Sequence, residues 1–359
     1  MRRTSIKPKR LYELAREYLA TQPHPPPNPK GGRPRTYDDA LILTIASIQN
    51  LNQYSFREAL EYCEDHFPEL PALSTYHDRL EHFTPDIAQG FIRHIGTKIV
   101  AATKTKAPPK GRLFVMDGTG FSYHDSYPMK FFRGMEIRKI RTHVKIGALM
   151  GRSGKRRFVV SARAGPAYTS DVRLIQPLLE ELPNGRGYVL GDKGFDSHRI
   201  MTTITAKGYR PAVAVKQNRC RIPIKDPLRI RSKKYADTPR IYDQRTLVEG
   251  LFGNVKQKLS SHVRIFKLKI AQVFALLRFA LLNVSVLVAI EGETLAWLWF
   301  PNSARCRTVR TRGACGDVKC NRTLRYEFRH GSASAPEHAG RRVPSLLLFD
   351  LASPPRILF

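Results

Sequence analysis

Residues 241–259 read IYDQRTLVEGLFGNVKQKL. Wound as an α-helix, Tyr242, Arg245, Glu249 and Lys256 fall at roughly 0°, 300°, 340° and 320° around the axis, taking about 100° per residue. One narrow face thus gathers a phenol, two cations and a single carboxylate. A core-facing stripe would be apolar, and a solvated face would scatter its charges. An acid flanked by Arg and Lys is what a site for a metal ion and a phosphodiester requires, because the carboxylate holds the cation and the bases hold the phosphates. The competing reading is an exposed amphipathic helix with an incidental salt bridge, so the flanking sequence has to decide.

Toward the N-terminus the pattern is one of strands that end on acids. RLFVMD is a short apolar run closing on Asp117, and GYVLGD is a second closing on Asp192. HVKIGALMG and RRFVVSARA follow the first with Gly-rich turns between them, SDVRLIQPLLEEL and SHRIMTTITAKG read as helices, and YRPAVAV as a further strand. Three strands followed by alternating helices and strands predict an α/β fold of the RNase H-like type, a mixed five-stranded sheet with helices on both faces. In such a sheet the first and fourth strands are parallel neighbours. Their C-terminal ends meet at a switch point, where open α/β sheets bind ligands. That places Asp117 opposite Asp192, with Glu249 arriving from a helix packed across the edge. Three clustered acids repel one another unless cations neutralise them, and hard oxygen ligands select Mg²⁺ or Mn²⁺ over zinc. Taken singly, an Asp at a strand end is a common turn residue. Asp125, Asp171 and Asp196 are assigned to turns and caps, with Asp171 the strongest rival for a role in the site.

The spacing Tyr242–x2–Arg245–x3–Glu249–x6–Lys256 resembles the signature of DDE transposases from prokaryotic insertion sequences, in the large group formed by families four and five. VMDGTGF, with Asp117 two residues before Thr119, resembles the first motif of that group, and LGDKGFDS around Asp192 the second. The resemblance runs from about residue 33 to about 290. It implies an RNase H-like catalytic domain in which Asp117, Asp192 and Glu249 are the catalytic and metal-holding residues. It further implies two Mg²⁺ ions, with Mn²⁺ able to substitute, and DNA contacts from Tyr242, Arg245 and Lys256. The implied chemistry is hydrolysis at the element's ends, followed by joining of the freed 3′-OH to target DNA. The stretch between Asp192 and Glu249 is too short for the β-rich insertion domain of some relatives, so their aromatic clamp and hairpin chemistry are not carried over. An inactive or domesticated copy, acting only as a DNA-binding protein or repressor, is the alternative.

Composition agrees with a polyanionic partner. Of 359 residues, 61 are Lys or Arg and 30 Asp or Glu, a formal charge of +31, which favours nucleic acid. Residues 130–157 hold ten basic residues against one acid, and 207–240 hold eleven against two. Both blocks are expected to line a DNA channel through phosphate contacts, indifferent to base sequence. Five irregularly placed cysteines (Cys63, Cys220, Cys306, Cys315 and Cys320) imply neither a disulfide framework nor a zinc site. The basic N-terminus lacks the apolar run of a signal peptide, and a cytoplasmic, nucleoid-associated protein is expected.

The remaining segments give the domain plan. Residues 1–36 form a basic, Pro-rich arm, 37–100 a helical domain, 101–111 a linker, 112–295 the catalytic domain and 296–359 a basic extension expected to be disordered. Ser55 and Ser74 are predicted helix caps. The order GRPR, helix, SFREALEY, LSTYHDRL resembles the DNA-binding region of the same transposases, which implies a helix-turn-helix-like module. Thr75, Tyr76, His77 and Arg79 would then lie on its recognition helix, with Arg33 and Arg35 in the arm. These would read the terminal inverted repeats, with a homodimer bringing the two ends together. Residues 270–290 are long enough to span a bilayer. Gln272, Arg278 and Asn283 interrupt them, so a buried core helix is predicted and no membrane partner.

Overall fold

Side-chain caps and prolines begin most of the N-terminal helices. The computed structural model describes residues 6–22, 36–103, 112–123, 128–133, 136–141, 143–153, 156–216 and 224–299. Helix α1 (Pro8–Ala20) opens on proline, and α2 (Asp39–Asn52) is capped by Asp38, whose side chain accepts from Leu41 N at 2.7 Å. Ser55 and Glu58 form a reciprocal capping box at α3 (Phe56–Glu64). Ser74 is not a cap: α4 (Leu73–His82) begins one residue before it, after Ala72 takes the extended turn that leaves Pro71. Helix α5 (Pro85–Ala102) again starts on proline.

The sheet follows. Strand β1 (Arg112–Tyr123) leads to a hairpin of β2 (Pro128–Arg133) and β3 (Glu136–Arg141), then to β4 (Val144–Ser153) and β5 (Arg156–Pro166). Next come α6 (Asp171–Glu180), β6 (Gly187–Gly191), α7 (His198–Ala206) and β7 (Arg210–Val213). Helices α8 (Pro227–Ala236), α9 (Pro239–Tyr242) and α10 (Thr246–Leu259), the short strand β8 (His262–Val263) and α11 (Leu268–Trp299) complete the described chain. The strand order is β5-β4-β1-β6-β7, with β8 attached to the end of β1 and β2-β3 standing as a separate pair. Strands β1, β4 and β5 run antiparallel in succession, while β1, β6 and β7 are parallel. This is the predicted mixed five-stranded sheet of RNase H-like topology, with helices on both faces. The β2-β3 hairpin lies where the sequence showed only a run of basic residues.

Alternation along the strands sorts side chains to two faces. Phe114, Met116 and Val189 join one core with Ile175 and Leu178 of α6 and Ile200 and Ile204 of α7. Val115, Phe121 and Leu190 point the other way, into a core with Val248 and Leu251 of α10 and Phe279 of α11. That second core runs without a break into α1–α5, so the helical region and the sheet share one apolar interior on either side of the predicted linker. The described residues all fall within one compact unit, Met1–Ser303.

Both edges of the sheet are closed by side chains that imitate a neighbouring strand. Asn283 of α11 accepts from Val159 N at 2.9 Å and donates to Val159 O at 2.7 Å on β5. Ser232 of α8 does the same for Val213 on β7, both bonds at 3.0 Å. Pairing the edge in this way removes a template for association. Helix α11 is long and apolar enough to cross a bilayer, but 72% of that stretch is buried inside the protein. Its Arg278 is 1% exposed. The guanidinium donates to Asn50 Oδ1 at 3.1 Å and to Ser260 O and His262 O at 2.7 Å each. Burial lowers its pKa to about 10, so it remains charged at neutral pH.

Candidate active site

Strand register sets the first two acids side by side. Val115 lies opposite Leu190 in the parallel β1–β6 pair. Asp117 does not end its strand as the apolar run suggested, since pairing with β4 and then β8 carries β1 on to Tyr123, whereas Asp192 follows the last residue of β6. Both acids come two residues after the Val115–Leu190 pair, so alternation turns both toward the face on which α10 packs. Asp117 is half-buried, and Gly118 N donates to its Oδ1 at 2.8 Å. Its pKa is raised, first by burial; Asp192 and Glu249 push it further up, while the Gly118 N–H and Arg245 oppose the shift. Asp192 and Glu249 thus both lie within electrostatic reach of Asp117. Asp192 caps a 3-10 turn, Lys193–Phe195, by accepting from Gly194 N at 2.8 Å.

The four residues of the opening motif are not on one uninterrupted helix. Tyr242 ends α9, Arg245 ends a 3-10 turn over Asp243–Arg245, and only Glu249 and Lys256 belong to α10. The tighter turn advances about 120° per residue instead of about 100°, which rotates Tyr242 and Arg245 relative to the ideal face. They nevertheless stay with the acids. The Tyr242 hydroxyl donates to Gly191 O at 3.4 Å, one residue before Asp192. Burial, and then the Asp192 charge against the opposing Arg245, raises its pKa. Arg245 Nη2 pairs with the exposed Glu249 carboxylate at 2.9 Å. Lys256 lies 5.6 Å from the centre of the Phe121 ring, and burial lowers its pKa. Arg278 stands over the same ring at 5.1 Å.

The donor set fits a hard divalent cation in kind, since it is all carboxylate oxygen and its mutual repulsion is relieved by positive charge. In the arrangement described, Glu249 is occupied by Arg245. Among the described residues no three of His, Cys, Asp and Glu stand close enough to hold one ion.

The other predicted positions divide clearly. Arg33, Arg35, Asp125 and the tail lie outside the described residues, as do parts of both basic blocks. Thr75 and His77 are half-exposed on α4, with His77 beside the Phe56 ring and 3.4 Å from Glu81. Tyr76 is fully buried and donates to Gln49 at 2.8 Å. Arg79 turns back onto α2, pairing with Asp39 and donating to Tyr37 O at 3.1 Å. Asp171 begins α6, capped in turn by Ser170. It lies against Gly118 on the face opposite the acids, where a Cβ on that glycine would come within 2.5 Å of its carboxylate, and Lys145 holds it at 3.1 Å. Two positioned groups were not singled out by sequence reasoning: Arg157, whose guanidinium would lie 3.5 Å from a Cβ at Gly250, and Arg229, which pairs with Asp196.

Residues 108–284, a span containing Asp117, Asp192 and Glu249, match the family described as the transposase DDE domain. An uncharacterised protein of Aquifex aeolicus (strain VF5) is 27% identical over 261 residues, covering 72% of this chain and 80% of that protein. A cryo-EM structure of the piggyBac transposase synaptic complex with hairpin DNA is similar over 79% of this chain and 72% of that one, at 9% identity and a TM-score of 0.38.

Proposed function

We propose that the protein cuts the ends of an insertion sequence and joins the freed 3′-OH to target DNA. The observation that carries this reading is the placement of Asp117, midway along β1, beside Asp192, which follows the end of the parallel neighbour β6, with Glu249 of α10 within electrostatic reach of Asp117. These three would hold Mg²⁺, with Mn²⁺ as substitute, once Glu249 leaves Arg245. When bound, such a cation would supply acidification of an attacking hydroxyl and stabilisation of charge on a leaving oxygen. The rest falls to the chain's own groups. Arg245 and Lys256 bind the phosphates beside the scissile bond, and Tyr242 fixes the strand by stacking or hydrogen bonding. Half-buried Lys256 lies in a partly desolvated position, where attraction to a phosphate is stronger than at an exposed site. Thr75, His77 and the arm at Arg33 and Arg35 would contact the inverted repeats, within a dimer on DNA acting at the nucleoid.

The test is incubation of purified protein with a labelled duplex carrying the element's ends, with and without Mg²⁺. Metal-dependent nicking at the boundary that exposes a 3′-OH is expected, and Asp192→Asn should bind DNA without cutting it. A fully active Asp192→Asn protein would remove the basis of the assignment. The Arg245–Glu249 pair, which keeps the third acid engaged, favours a second reading as a non-catalytic DNA-binding protein. Binding without cleavage in either Mg²⁺ or Mn²⁺ would select it.

A further inference from the structure

Four residues beyond Asp192, the chain makes a polar junction that the proposed chemistry does not use. The Asp196 side chain is 2% exposed. Arg229 of α8 donates to it twice, Nε to Oδ1 at 3.0 Å and Nη2 to Oδ2 at 2.6 Å. Lys216 N donates to the same Oδ2 at 2.8 Å, and Arg229 Nη2 also reaches Lys216 O at 3.3 Å. Three segments therefore meet on one carboxylate: the turn that carries Asp192, the chain leaving β7, and α8. One turn along α8, Ser232 fastens that helix to Val213 of β7. Helix α8 then leads through α9 to Glu249, and Tyr242 brings the chain back to Gly191. The path between the second and third acids is thus tied down beside Asp192 at two places, Arg229 and Tyr242.

We propose that Asp196 and Arg229 form a positioning pair that fixes the separation of Asp192 and Glu249, and thereby sets how tightly the acidic site takes a divalent cation. The inference rests on the metal-dependent reading of that site. Its physical basis is rigidity. A bidentate Arg–carboxylate pair constrains orientation as well as distance, and burial of the Asp196 carboxylate makes loss of its Arg229 partner costly. Groups that orient metal ligands affect affinity without touching the ion. An ordinary stabilising ion pair would also be buried, so the test must separate position from stability.

The experiment measures Mn²⁺ binding to the full chain without DNA by electron paramagnetic resonance, alongside thermal unfolding. The variants are Asp196→Asn, Arg229→Gln and the milder Arg229→Lys. Asn283→Ala, which releases the opposite edge of the sheet, serves as a comparably destabilised control. The expected result is a loss of Mn²⁺ affinity of roughly tenfold or more in Asp196→Asn and Arg229→Gln. Arg229→Lys should lose less, and Asn283→Ala should bind as wild type does. Lower stability with unchanged Mn²⁺ affinity in the Asp196 and Arg229 variants would overturn the proposal and leave the pair a fold-stabilising one. Wild-type protein that shows no Mn²⁺ binding dependent on Asp117 and Asp192 would overturn the reading of the acidic site itself, and the positioning role with it.

Discussion

Replacing Asn283 tests how the sheet that carries the acids is held at its β5 edge. The side chain is completely buried. It satisfies both backbone groups of Val159 at 2.9 and 2.7 Å and donates weakly to Ile92 O at 3.3 Å. Asn283→Leu keeps similar bulk and removes every one of these bonds. Val159 N–H and C=O are then left without partners under α11, at about 1–3 kcal/mol for each orphaned group. The expected destabilisation is about 2–4 kcal/mol, allowing for relaxation of the edge. Asn283→Ala adds a small cavity and should cost about 1 kcal/mol more. Asn283→Asp keeps the acceptor for Val159 N–H but points a buried carboxylate at two carbonyl oxygens, and should be the worst of the three. Urea unfolding at neutral pH gives the free energy from the shift in midpoint, with the slope held constant as the check that the unfolding reaction is unchanged. An Asn283→Leu protein within about 0.5 kcal/mol of wild type would refute the reasoning, because water would then be shown to reach Val159 and satisfy it.

Asp117 should cost the metal-free protein stability at neutral pH, since its folded pKa lies above that of the unfolded chain. Stability from this group is full below the ordinary carboxylate pKa and is lost as pH rises through the raised one. In chelator, Asp117→Asn should therefore unfold at higher temperature than wild type at pH 7, with the difference vanishing as pH falls below the ordinary carboxylate range. A constant difference at every pH would count against the raised pKa. Lys256→Gln should weaken DNA binding similarly for all sequences and flatten the salt dependence by about one unit of slope, as measured by anisotropy at several salt concentrations. Gly118→Ala places a Cβ within 2.5 Å of the Asp171 carboxylate. It should cost about 1–3 kcal/mol of stability by chemical denaturation, and simultaneous replacement of Asp171 by Ala should recover part of that loss.

The sequence alone was enough for the class of the fold, and it singled out three acids of which the folded chain sets two, Asp192 and Glu249, within electrostatic reach of the third, Asp117. Apolar runs that end on Asp117 and Asp192, the helix bearing Glu249, and a largely buried α11 are local signals. Each depends on which residues repeat along the chain and where that repetition stops. The excess of basic charge is equally local and needs no fold to be counted. Other features were decided only in three dimensions. Arg79 is bound to Asp39 across the helical region, Arg229 to Asp196 across 33 residues, and Arg278 to Asn50 across 228. No periodicity encodes such partners, because a hydrogen bond between distant segments exists only once packing has brought them together. The break between α9 and α10 was hidden for a related reason. A 3-10 turn inside a helical run is decided by the packing around it as well as by the run's own propensities, and here the residue before that turn, Tyr242, reaches Gly191 of the sheet.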